Sequence, residues 1–214
     1  MDLSQINCLI FDLDDTLYSQ DCGAWAMIRD RIHRFMIEEI HFPPEEVSQL
    51  RTRLYQQYGT TLRGLQTEYS VDMDAFLDYV HDVPLEKVLK TNPFMAHMLE
   101  SLSRRKVIFT NSYAFHANRV LSLLGVSDLF EDIIDIYAIA PHCKPEVEAF
   151  KIALNRIDEE PTRCLLIDDS MKNLKTAASL GMKTVGVGNN RRDGFPHIEN
   201  ILQLPKVLLP DQIP

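Results

Sequence analysis

Five short apolar runs constrain the fold more than any other feature of this chain: Cys8–Phe11, Val107–Phe109, Ile133–Tyr137, Cys164–Ile167 and Lys183–Val187. Four of them are near-continuous in Ile, Leu, Val or Phe rather than alternating, as expected for parallel strands covered on both faces. Helical patterns separate the last four. Ala114–Leu124 stops at Gly125, Glu146–Arg156 has the same spacing, and Lys172–Leu180 stops at Gly181. Strands alternating with helices of this length predict an α/β fold, an open, mostly parallel, Rossmann-like sheet sandwiched by helices, with right-handed crossovers.

The first crossover breaks that rhythm. From Leu17 to about Lys90 the periodicity is helical throughout, with Trp25, Ile28, Ile32 and Phe35 on one face, a stop at His41-Phe-Pro-Pro44, and further helices over Glu45–Tyr58 and Asp72–His81. We read residues 18–90 as a small helical cap inserted into an α/β core of residues 1–17 and 91–214. The proline-bearing tail, Leu204 to Pro214, is expected to run over the surface.

Ligands of open α/β sheets lie outside the carboxyl ends of the strands, so the residues just past each strand define a candidate site. The first run ends in Asp12-Leu13-Asp14-Asp15-Thr16, the second in Thr110-Asn111-Ser112, the fourth in Asp168-Asp169-Ser170, and Lys144-Pro145 comes after the third. Each segment alone is explained as a turn or helix cap. Together they gather acids, hydroxyls and a lysine at one rim. Asp12 and Asp14 are two apart, so in extended chain both side chains point the same way, ~7 Å apart. With Asp168 and Asp169 they form a like-charged cluster that repels unless a cation sits among them, and an all-oxygen donor set suits Mg²⁺. A metal, a lysine and neutral donors around one carboxylate suit phosphoryl transfer. In that chemistry Asp12 is the expected nucleophile and Asp14 the acid/base; Thr110, Asn111 and Ser112 bind the phosphoryl group. Lys144 neutralises it and orients Asp12, and Asp169, with Asp168 in support, completes the metal shell with Asp12 and the backbone carbonyl of Asp14.

Composition narrows the partners. Twenty-two basic against 31 acidic residues give a formal charge of −9, which argues against a nucleic-acid or anionic-membrane surface. No apolar run reaches the ~18 residues of a membrane span. The N-terminus lacks the basic region of a signal peptide, so a cytoplasmic chain is expected. The four cysteines have no metal spacing. Cys8 and Cys164 read as buried thiols, whereas Cys22 and Cys143 lie in polar segments and are open to reaction.

The segments FDLDDTLY, IFTNS, CKP and LLIDDS resemble, in order and across nearly the whole chain, the haloacid-dehalogenase-like phosphatase superfamily. That resemblance implies its fold, its cap over the site, its magnesium dependence and an aspartyl-phosphate mechanism. YGTTLRGL (Tyr58 to Leu65), with NSYAFHANRVLSLLG and CKPEVEAF, is similar to the pyrimidine 5′-nucleotidase group. This narrower likeness implies a small phosphorylated metabolite as partner, a nucleoside monophosphate such as UMP or CMP. It also makes Arg63 a candidate substrate contact, since its planar fork suits phosphate or a base carbonyl. Tyr113 and His116 come after the phosphate loop and either meet substrate or pack a helix, while Tyr18, Tyr58 and Tyr69 are alternative partners for a base. Competing readings are a broad sugar-phosphate phosphatase, a phosphomutase, and a non-catalytic phospho-receiver. In receivers the acidic pair comes in the first strand and there is no large insertion.

Overall fold

The computed structural model describes residues 3–188 and 194–208. Its strands are β1 (Cys8–Phe11), β2 (Arg105–Phe109), β3 (Asp132–Ile134), β4 (Cys164–Asp168), β5 (Lys183–Val187) and β6 (His197–Ile198). They form one sheet in the order β3-β2-β1-β4-β5-β6, and every pairing is parallel. β1 lies between β2 and β4, with Phe11 level with Ile108 on one side and Ile167 on the other. All four residues of β1 and all five of β4 are buried, so helices cover both faces, as their unbroken apolar character requires.

Helices α1 (Ala24–Glu38), α2 (Pro44–Tyr58), α3 (Thr61–Tyr69) and α4 (Met73–His81) lie in the crossover from β1 to β2, in the segment expected to serve as a cap and called the cap accordingly. Pro44 opens α2 at a position where its missing N–H costs nothing, and the Thr60 and Asp72 side chains cap α3 and α4. Ile28, Ile32 and Phe35 bury one face of α1, and Phe35 meets Phe76 and Tyr79 of α4 edge-on. The remaining helices are α5 (Pro93–Ser101), α6 (Ala114–Leu124), α7 (Val147–Ile157), α8 (Met171–Ser179) and α9 (Leu204–Leu208). Arg119 of α6 donates to the carbonyls of His81 and Val83 at 3.0 Å each, tying the core to the segment that leaves the cap. No helix among the described residues is long and apolar enough to cross a membrane.

Three expectations change. The third strand ends at Ile134 rather than Tyr137, because the Asp135 carboxylate accepts from the backbone N–H groups of Ala114 and Ala138 and turns the chain away. The tail does not run over the surface from Leu204: Leu204 and Leu208 are buried on α9, and residues 209–214 lie outside the described residues. Cys143 is buried rather than open to reaction, and burial with the Glu146 carboxylate pushes its thiol up to about 12.

Gly64 sets how closely α2 and α3 approach. A Cβ there would lie 2.7 Å from Leu54 Cβ, closer than packed carbons sit. Gly64→Ala gains helix propensity of about 1 kcal/mol but overpacks this contact, and overpacking costs about 1–3 kcal/mol. We expect a net loss of stability in urea unfolding. A stabilised variant would show that the two helices separate freely.

Candidate active site

β1 is the topological switch point of the sheet, since the chain continues to β2 on one side and later to β4 on the other. The crevice beyond its carboxyl end receives side chains from the central strands and the loops after them. The Asp12 backbone N–H donates to the Ile167 carbonyl at 2.9 Å and that of Thr110 to Ile134 at 3.0 Å, so both residues extend the ladders by one position.

The Lys144 ammonium sits in the middle. It donates to Asp12 Oδ1 at 2.7 Å, the Phe109 carbonyl at 2.7 Å and Asp168 Oδ2 at 3.1 Å, three acceptors for its three N–H bonds. Burial works against its charge, but Asp12 and Asp168 outweigh burial and hold the lysine well above its ordinary value. Asn111 places it: its amide donates to the Lys144 carbonyl at 2.9 Å and its side-chain oxygen accepts from the Lys144 N–H at 2.8 Å. Asp168 is saturated, because the Ser170 N–H, the Asn173 amide and Lys144 share its two oxygens. Asp12 Oδ2 accepts from Thr16, whose hydroxyl also accepts from the Asp169 N–H, both at 3.1 Å.

Asp14 has different company. Ser112 Oγ donates to its Oδ2 at 2.8 Å, while the Tyr18 hydroxyl and His116 Nε2 (2.8 Å) meet its Oδ1. Burial opposes ionisation, but His116, then Tyr18 and Ser112, hold the Asp14 carboxyl well below the usual range. His116 is fully buried and packs at 4.3 Å against His81 of the cap, where burial and His116 push the His81 imidazole down to about 3. Asp15, next in line, is pushed up to about 7 by burial, Asp169 and Asp14.

Ligand oxygens of Asp12, Asp168 and Asp169 lie within 4.8 Å of one another. Burial raises the Asp12 carboxyl well above its usual range, Lys144 opposes this, and Asp168 and Asp169 add to it. An all-oxygen set with excess negative charge fits a hard divalent cation, which would neutralise that excess. Asp12, Asp168 and Asp169 are the carboxylates that could hold such an ion. The Asp14 carboxylate faces α6 instead, outside this group.

Above the floor a cleft of about 460 Å³ opens between core and cap. Asp12, Asp14, Thr110, Asn111, Ser112, Lys144 and Asp169 line its base, and Trp25, Ile28, Ile32, Phe76, Leu77 and Val80 line its cap wall. Gly59 brings the cap backbone down to this base. Its φ of 85° favours glycine, and a Cβ there would also lie 3.1 Å from Pro145 and 3.2 Å from the Lys144 carbonyl.

Arg63 is not in this cleft. Thr61, Leu62, Gly64 and Leu65 form the buried face of α3, which turns Arg63 aside to donate to the Pro141 carbonyl at a neighbouring cavity of about 350 Å³. Sequence reasoning also misses the grip of Tyr18 and His116 on Asp14. Tyr18 stands one turn beyond Asp14, a spacing that hints at the contact, whereas His116 is 102 positions away. It misses Arg51 as well, which lines the cleft from α2. Its signal is present: an arginine in the series Val47, Arg51, Leu54, Tyr58, on the face that α2 turns inward.

The haloacid dehalogenase-like hydrolase family model matches residues 6–181. The chain is 26% identical to phosphate metabolism protein 8 of Saccharomyces cerevisiae, over 92% of this chain and 71% of that protein. It is 23% identical to the glyceraldehyde 3-phosphate phosphatase of Methanocaldococcus jannaschii, over 85% of each. Among solved structures, a HAD phosphatase from Thermococcus onnurineus superposes with TM-score 0.66 at 18% identity, covering 97% of this chain and 100% of that one. The HAD-hydrolase YfnB of Bacillus subtilis, solved bound to magnesium, gives 0.63 at 19%, covering 95% and 99%. A family match that takes in the switch-point strand, the cap and every residue of the rim makes this chain a member of the haloacid dehalogenase-like hydrolase family.

Proposed function

We propose that the chain is a Mg²⁺-dependent phosphomonoesterase that removes the 5′-phosphate of pyrimidine nucleoside monophosphates through an aspartyl-phosphate. The observation that carries the chemistry is the split between the two carboxylates of the DxD segment. Asp12 is held by Lys144 beside the acidic group, whereas Asp14 is held apart from it by Ser112, Tyr18 and His116.

Asp12 attacks phosphorus and the P–O bond to the leaving alkoxide breaks. Asp14 supplies the proton that the alkoxide needs. Ionised at rest, Asp14 takes up that proton from solvent as the phosphate dianion enters, because like-charge repulsion raises its proton affinity. Asp14 then takes a proton from the water that attacks the phosphoryl-Asp12 bond, releasing inorganic phosphate and restoring Asp12. Lys144 orients Asp12 throughout, and Thr110 and Ser112 line the phosphoryl side of the cleft. Asn111 acts by clamping Lys144. Asp12, Asp169 and the Asp14 backbone carbonyl would hold Mg²⁺, with Asp168 in support; when bound, the ion neutralises phosphoryl charge. Residues 18–90 serve as the cap that closes over the leaving group.

Two features support the nucleotide reading: the likeness of Tyr58–Leu65 to pyrimidine nucleotidases, and a cleft whose polar base and apolar cap wall suit a ribose phosphate bearing a planar ring. The relative that acts on glyceraldehyde 3-phosphate supports a second reading, a phosphatase of small sugar phosphates.

Phosphate release from UMP, CMP, AMP, GMP and ribose 5-phosphate separates these. We expect turnover concentrated on UMP and CMP and lost in chelator; purine-led or uniform turnover would remove the nucleotidase assignment. Asp12→Asn is expected to reduce release to background. Asp14→Asn should lower kcat by about 10²–10⁴-fold, the usual contribution of a positioned acid/base. Full turnover by the Asp12→Asn enzyme would contradict the covalent route.

A further inference from the structure

Two cations line the cleft without an acidic partner. Arg51 reaches it from α2 of the cap and Lys172 from the first turn of α8. Among the described residues neither makes an ion pair, and the Arg51 Nε–H is buried with no acceptor. The other buried or half-buried arginines show how this chain satisfies a structural guanidinium. Arg119 bonds the His81 and Val83 carbonyls, Arg31 the Tyr79 carbonyl, and Arg104 those of Leu3 and Ile6. Arg51 has no such anchor.

Its surroundings sharpen the contrast. Burial and the neighbouring Arg29 both press against the Arg51 charge, Tyr55 offsets them only in part, and a guanidinium cannot shed its proton to escape. His33 offers no relief: its Nε2 is likewise buried without a partner, and burial and Arg51 push the ring toward its neutral form. A buried donor left unpaired is costly, and Arg51 is one of the residues that line the cleft. Tyr55 stands one turn after Arg51 on α2, and the Lys172 ammonium lies over its ring, 5.1 Å from the centroid. Cap and core thus each present a cation beside one aromatic ring at the edge of the cleft.

We infer that Arg51 and Lys172 form a subsite for oxygen acceptors on the leaving group, binding the part of the substrate beyond the phosphoryl and joining cap to core around it. This deepens the nucleotide reading and rests on it for the identity of the acceptor. In UMP and CMP the shared acceptor is the ring carbonyl between the two nitrogens. A second anionic group on a sugar phosphate offers the same chemistry, and the test distinguishes the two sources.

The experiment compares kcat/KM within pairs of esters that differ in this acceptor: UMP against ribose 5-phosphate, and glucose 1,6-bisphosphate against glucose 6-phosphate. It uses the wild type, Arg51→Met, Arg51→Lys and Lys172→Met. Because each ratio is taken within one preparation, partial unfolding of a variant cancels. A charge-assisted hydrogen bond of about 1.5–3 kcal/mol predicts that Arg51→Met lowers the UMP ratio roughly 10–100-fold, with partial rescue in Arg51→Lys. Lys172→Met should lower the same ratio. A wild type that prefers UMP and an Arg51→Met enzyme that keeps the whole preference would overturn the subsite while leaving the nucleotide reading intact. If the bisphosphate is the preferred ester and Arg51→Met abolishes that preference, the subsite stands with a second anion as its ligand and the nucleotide reading falls. Equal ratios in wild type and variants would overturn the subsite for both sources.

Discussion

The Lys144 ammonium bonds at once to the residue after β1, to a carbonyl of β2 and to the last residue of β4. It is the point at which the three central strands are tied together at their carboxyl ends. Two carboxylates this deeply buried are costly unless paired, and removing one partner of a buried pair costs about 3–5 kcal/mol. The lysine therefore makes the acidic floor possible, and Asn111 in turn fixes the backbone that delivers it. In the structure the Asn111 side chain holds the Lys144 backbone in place.

That arrangement also explains why neighbouring acids do different work. Asp12 and Asp14 share a loop and a residue type, but Asp12 faces Lys144 and Asp169 while Asp14 faces α6 and Tyr18. The environments, rather than the residues, divide them: one carboxylate sits beside a lysine in the acidic group, and the other is held by a histidine, a tyrosine and a serine. His81 extends this division to the cap, since it packs on His116 and also lines the cleft. The cap thus reaches the Asp14 side of the site through ring packing, and the Lys144 side through Gly59 against Lys144 and Pro145.

Much of this is legible in the sequence because parallel strands leave an unbroken apolar imprint and end in polar residues that have no structural reason to recur there. Strands β1, β2, β4 and β5 and the rim of Asp12, Thr110, Lys144 and Asp168 emerge from that imprint. β6 is not visible, because a two-residue strand carries no period. α5 is easily passed over, although Asn92 and Pro93 announce it with a side-chain cap and an N1 proline. That Arg63 lines the neighbouring cavity is not legible for a physical reason: a motif gives a residue's position along α3 but not which way that helix is rotated. Arg51 escapes notice for the converse reason, since charge alone suggests a solvated surface unless its helical neighbours are read with it.

The central claim is that the phosphoryl group passes through Asp12, and the most direct test is to trap it there. Enzyme mixed with Mg²⁺ and UMP, quenched in acid during turnover and reduced with borohydride, should yield a peptide in which residue 12 has become homoserine, the product of a reduced acyl phosphate. Reduction at another carboxylate, or none while phosphate is being released, would contradict the account.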